Sequence, residues 1–157
     1  MTPPRRADWI EAVVAFTAVA VLLAPIGFAT GLLRYEPRAL VLLPAVAVQI
    51  FFVRVLGEEA ALRGALPSRA ETPRALLPIA ISTALFVLWH VVETAFLSRA
   101  ALLFLRPEFL FSAGVLGLAC AMLRWRSGSL WTAVAIHWVV VVIWQQWLGG
   151  PGFEALR

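Results

Sequence analysis

Residues 39–66, ALVLLPAVAVQIFFVRVLGEEAALRGAL, join a long apolar run to two carboxylates and an arginine, and their reading decides the fold. The run predicts a membrane-spanning helix that starts near Ala39, continues to about Leu66 and is stopped by Pro67. A charged side chain costs about 2.5 to 3.5 kcal/mol at the centre of such a helix. Glu58, Glu59 and Arg63 must therefore sit in a protein interior or at the membrane surface. In a helix, Glu59 and Arg63 fall at i and i+4 and can pair on one face, while Glu58 points about a quarter turn away and is available for another task. The plainer alternative is a polar helix end emerging among lipid head groups.

Composition supports the membrane reading along the whole chain. Of 157 residues, 62% are hydrophobic and 14% charged, with a mean hydropathy of +0.89. That balance excludes a soluble domain, and continuous apolar runs exclude the alternating strands of a membrane barrel. The expectation is an all-α, polytopic transmembrane helical bundle of about five spans. The net charge of +4 comes from arginines lying mainly between the apolar runs, with no lysine, which suits lipid head groups and requires no nucleic acid. A first span is expected over 9–33, retained and not cleaved as a signal peptide, with Pro25 kinking or ending its helix. A third span is expected over 75–94, a short interfacial or re-entrant connection over 95–108, and a fourth span over 108–123. A loop at 124–128 leads to a fifth span over 129–148, which the cluster Gly149-Gly150-Pro151-Gly152 ends. The single Cys120 lies in an apolar stretch and reads as a small buried filler.

The only two histidines, His90 and His137, both fall inside predicted spans. Counting about 1.5 Å per helical residue from two loops placed on one side puts Glu58 about 19 Å and His137 about 16 Å deep. His90 comes out near 29 Å by the same count, a mismatch that tilt or a surface segment would have to absorb. If the three converge, a carboxylate and an imidazole can hold and deprotonate a water. The second imidazole can then donate to the oxygen of an attacked carbonyl.

These residues carry a resemblance. The chain resembles the CAAX-protease and bacteriocin-processing (Abi) family of intramembrane proteases: Glu58, Glu59 and Arg63 match its Glu-Glu-x-x-x-Arg motif, with Gly64 following. Phe86 and His90 match its Phe-x-x-x-His motif, and Ser129-Leu130-Trp131 leads to the histidine of its third motif at His137. The resemblance implies that Glu58 and His90 activate water, that Glu59 and Arg63 support the site, and that His137 helps to form the oxyanion hole. It also divides the chain into a polar start and first span at 1–38, a protease-like domain at 39–150 and a tail at 151–157.

One position departs from the pattern. The family usually places an asparagine four residues after the third-motif histidine; here that position is Val141, and the chain has no asparagine. Gln145, one turn further along the same face, is the candidate replacement and, with Phe86, a candidate substrate contact. A metal-free glutamate mechanism is the expectation. Zinc held by Glu58, His90 and His137 is the alternative, although no His-Glu-x-x-His helix is present. The leading function is an intramembrane endopeptidase acting on a membrane protein or peptide within the bilayer. The alternatives are a catalytically weakened membrane interaction or immunity protein, and a small transporter or channel subunit that uses its buried carboxylates as an ion site.

Overall fold

The computed structural model describes residues 3–152 and Ala155 and is all-helical, with no named strand among the described residues. Helix α1 spans Arg6–Thr30, and the Asp8 carboxylate accepts the Arg5 backbone N–H at 2.7 Å at its start. Pro25 lies inside α1 and does not end it; Gly31, at φ 71°, is the left-handed cap that does. A proline within an apolar membrane helix is tolerated where neighbouring groups satisfy the freed backbone.

The second helix, Leu40–Arg63, is a composite of four segments. It opens on a 3-10 turn, continues as α2 (Leu43–Gln49), widens into a π-helical segment over Ile50–Val55 and returns to α-helix as α3 (Leu56–Arg63). It stops at Arg63, three residues before the expected Leu66. Gly64 is a poor helix former, and Pro67 disfavours helical backbone in the residue before it. Helix α4 spans Leu76–Glu93, α5 spans Pro107–Ser127 and α6 spans Trp131–Trp147.

Helix α5 runs through the stretch expected to be a loop. Arg124 and Arg126 form its last turn, where cations complement the helix dipole, and Gly128 at φ 68° caps it. The connection at 95–108 folds as a 3-10 helix over Arg99–Leu105 whose Ala101 and Phe104 are buried against α4 and α5, so it belongs to the core.

Among the described residues four helices are long and apolar enough to cross a membrane: α1, the composite Leu40–Arg63, α4 and α5. The fifth expected span forms α6, whose 17 residues reach only about 25 Å, short of the hydrocarbon thickness. Its C-terminal carbonyls are satisfied by the loop that joins α1 to the composite helix. Backbone N–H groups of Arg38, Glu36 and Arg34 donate to the carbonyls of Gln146, Trp147 and Leu148 at 2.8, 2.9 and 3.2 Å. Of the expected tail at 151–157, residues 153, 154, 156 and 157 lie outside the described residues.

Helix α5 is the hub, packing against α1, α4 and α6. Close approach at its middle needs Gly117: a methyl group there would meet the Phe86 ring at 2.8 Å and the Arg63 guanidinium at 3.3 Å. Gly117→Ala should therefore cost about 1–3 kcal/mol and lower the unfolding midpoint in detergent. Gly114→Ala, with only Val87 at 3.7 Å, should leave the midpoint unchanged or raise it.

Candidate active site

The site begins with an ion pair that has no access to solvent. Glu59 and Arg63, one turn apart on α3, are both 0% exposed, with Arg63 Nη1 at 3.1 Å from Glu59 Oε1. Arg63 also donates to the Gly117 carbonyl on α5 at 3.4 Å and lies 4.2 Å above the Phe86 ring of α4. Glu59 Oε1 accepts a second hydrogen bond, from His137 Nδ1 of α6, at 2.8 Å. A single carboxylate thus ties α3 to α6, while its arginine ties α3 to α4 and α5.

These bonds set the histidine rings. A carboxylate oxygen accepts, so His137 Nδ1 carries the proton and Nε2 faces Glu58, 3.9 Å from its Oε2. His90 Nδ1 lies 2.8 Å from the Phe86 carbonyl, which can only accept; Nε2 of the neutral ring is therefore left as a lone pair. Phe86 stands edge-on to both imidazoles, 4.7 Å from His90 and 5.3 Å from His137 between ring centres. At 1% exposure it supports the rings and the arginine more than it offers surface to a ligand.

Glu58, His90 and His137 line one cavity of ≈ 200 Å³. The convergence that the depth count strained to reach has a structural reason. Ser82 on α4 donates to the Leu62 carbonyl at 2.9 Å, so one turn earlier on α3 Glu58 lies level with Phe86, with His90 one turn beyond. Residues 64–75, between the end of α3 and the start of α4, are not helical and are anchored where the Arg69 N–H donates to the Trp125 carbonyl at 2.7 Å.

Most of the rest of this cavity is apolar, walled by α1 through Phe16, Val19 and Leu23 and by α5 and α6 through Leu116 and Trp144. Val141 and Gln145 both line it. Gln145 is 5% exposed and makes no hydrogen bond with a described residue, so its amide faces the cavity unpaired. A second cavity, of ≈ 380 Å³, lies on the other side of α3 and is lined by Val53, Arg54, Gly57, Glu58, Ala61, Leu62, Trp89, Glu93 and Leu97. Arg54 and Glu58 are the residues common to both cavities. Sequence reasoning missed Arg54 and Glu93; the available signal was that Arg54 stands one turn before Glu58, and Glu93 almost one turn after His90.

Among the described residues no group of three His, Cys, Asp or Glu side chains, the Glu58, His90 and His137 set considered from the sequence included, is placed to hold a metal ion.

An apolar helical bundle that encloses carboxylate and imidazole groups defines a class, the multi-pass integral membrane proteins with a polar site inside the lipid layer. The sequence pattern of the Rce1-like type II CAAX prenyl endopeptidases matches residues 39–143, and the chain belongs to that family. The match includes Glu58, Glu59, Arg63, His90, His137 and Val141 and leaves out α1 and Gln145. Neither the curated proteins nor the solved structures compared with the chain include a match.

Removing one member of the buried ion pair leaves the other uncompensated. Arg63→Ala should destabilise the protein by about 3–5 kcal/mol, and Arg63→Ala combined with Glu59→Ala should recover part of that loss. Unfolding of the three proteins in detergent micelles measures the coupling.

Proposed function

We propose that the chain is an intramembrane endopeptidase that hydrolyses a peptide bond of a membrane-associated substrate with a water activated by Glu58. The observation that carries this reading is the position of Glu58, with an apolar cavity on one side, a cavity containing polar groups on the other and two oriented imidazoles on the wall. The apolar cavity suits the hydrocarbon part of a substrate, as the description of the matched family as prenyl endopeptidases suggests, and the second suits its polar peptide.

In this mechanism Glu58 takes a proton from the water, His90 Nε2 accepts the water's other hydrogen to aim it, and the oxygen attacks the carbonyl carbon. The resulting oxyanion needs donors. His137, when its ring carries both protons, donates Nδ1–H to Glu59 and Nε2–H to the oxyanion. Glu58 then passes its proton to the leaving amine, which closes the proton balance. Glu59 and Arg63 act through His137: Glu59 accepts its Nδ1–H and Arg63 fixes Glu59, so together they orient the ring.

Val141 supplies no donor where the family usually has an asparagine, and loss of one such donor costs of order 2.7–4 kcal/mol in other enzymes. The unpaired Gln145 amide is the proposed replacement. The valine also favours a second reading, in which turnover is weak and the protein serves chiefly to bind membrane peptides.

Cleavage of a lipidated fluorogenic peptide by the full chain in phosphatidylcholine vesicles separates these readings. Glu58→Gln and His90→Gln should each lower turnover about 10²- to 10⁴-fold with the protein still folded. Full activity of the Glu58 variant would remove it from the mechanism. Gln145→Leu should slow turnover and Val141→Asn should raise it; no change from either would take both positions out of the oxyanion site.

A further inference from the structure

The residues common to both cavities are a carboxylate and a guanidinium, and the mechanism above uses only the carboxylate. Arg54 makes no hydrogen bond and no close ion pair with any described residue, although it interacts electrostatically with the Glu58 and Glu93 carboxylates. It is neither fully exposed nor buried, and its place in the lining of both cavities leaves its donors available there. Among the described residues no other arginine or lysine lines either cavity. An unpaired guanidinium in a membrane helix is costly, and the usual outcomes are a partner or a path to head groups.

Its local geometry is built. Arg54 belongs to the π-helical segment Ile50–Val55, a departure from α-helix often found at functional sites. The segment is braced from α6, where Trp138 packs edge-on against Phe51 at 5.9 Å between ring centres and its indole N–H donates at 2.8 Å to the Ala47 carbonyl of α2, just before it. From there Arg54 falls one turn before Glu58, on the same side of the composite helix.

The structure assigns Arg54 as the receptor for a carboxylate carried by the peptide substrate, bound at the junction of the two cavities beside Glu58. This assignment rests on the peptide-hydrolase reading and extends it to substrate selection. The electrostatic reason is direct. A peptide carboxylate brought here meets Glu58 and Glu93, and like charges repel strongly where water is scarce. Arg54 offsets that repulsion, and its planar fork matches a carboxylate with two parallel hydrogen bonds. A peptide without the carboxylate gains nothing from it. The carboxylate has two sources, the chain terminus or an acidic side chain, and the same fork recognises both.

The test uses the full chain in phosphatidylcholine vesicles and a fluorescent lipidated peptide in four forms: terminal acid, terminal amide, and each with an internal Asp or its Asn counterpart. Binding is read by anisotropy and turnover by product. The wild type should bind at least one carboxylate form about 10- to 100-fold more tightly than its neutral counterpart. Arg54→Gln should collapse that ratio towards one, and Arg54→Lys should keep part of it. The form that shows the preference names the source, terminus or side chain. Equal binding of acid and neutral forms by the wild type overturns the assignment, as does an unchanged ratio in Arg54→Gln. An effect of Arg54→Gln confined to vesicles containing phosphatidylglycerol also overturns it, because the anion is then a lipid phosphate. A preserved binding ratio with no cleavage by the wild type supports the carboxylate site and rejects the hydrolase reading, so the two fail separately.

Discussion

Three helices are held in register by a single carboxylate that never meets water. Glu59 receives Arg63 from its own helix and His137 from α6, and Arg63 carries the connection on to the Gly117 carbonyl of α5 and the Phe86 ring of α4. A buried pair of this kind gives little net stability, because desolvation consumes most of the Coulomb gain. What it supplies here is position. Removing a partner from any of the three groups is costly, which favours the arrangement of α3, α5 and α6 in which they meet, and there His137 Nε2 faces Glu58. The close fit extends to Gly117, where the lack of a side chain makes room for Arg63 and Phe86 together.

Glu58 owes its place to the same constraint. Adjacent residues on a helix differ by about 100°, so fixing Glu59 against His137 turns Glu58 off the packed face and into open space. That space is two cavities and not one, because α3 runs between an apolar region walled by α1, α5 and α6 and a smaller set of groups that includes Arg54, Trp89 and Glu93. A substrate with an oily part and a peptide part could therefore lie across the helix with its junction at Glu58. The wall from α1 lies outside the family match, so the shape of the apolar cavity is partly this chain's own.

Much of this was legible in the sequence because the physics was local. Apolar runs broken by Arg, Pro and Gly mark the long helices, and the i, i+4 spacing marks the Glu59–Arg63 pair. The three motifs point to Glu58, His90 and His137, which the structure brings to one cavity. What was illegible depends on tertiary contacts. Nothing within Ile50–Val55 announces a π-helical segment, whose bracing comes from Trp138 some ninety residues later. The excess in the His90 count came from giving the loop residues before Leu76 a helical rise, although α4 begins only there. Arg124 and Arg126 were read as loop for their charge, although both are good helix formers suited to a C-terminal turn. Arg54 was passed over because its significance lies in what it faces, two cavities that no linear pattern reveals.

The central claim is that water reaches Glu58 from within a membrane helix. Reaction of Glu58→Cys with a charged, membrane-impermeant thiol reagent in vesicles tests it most directly, using the buried Cys120 as an internal silent thiol and Phe52→Cys on the exposed apolar face for comparison. The account predicts fast modification of the Glu58 variant and slow modification of the Phe52 variant. An inert thiol at position 58 in a folded protein would contradict it.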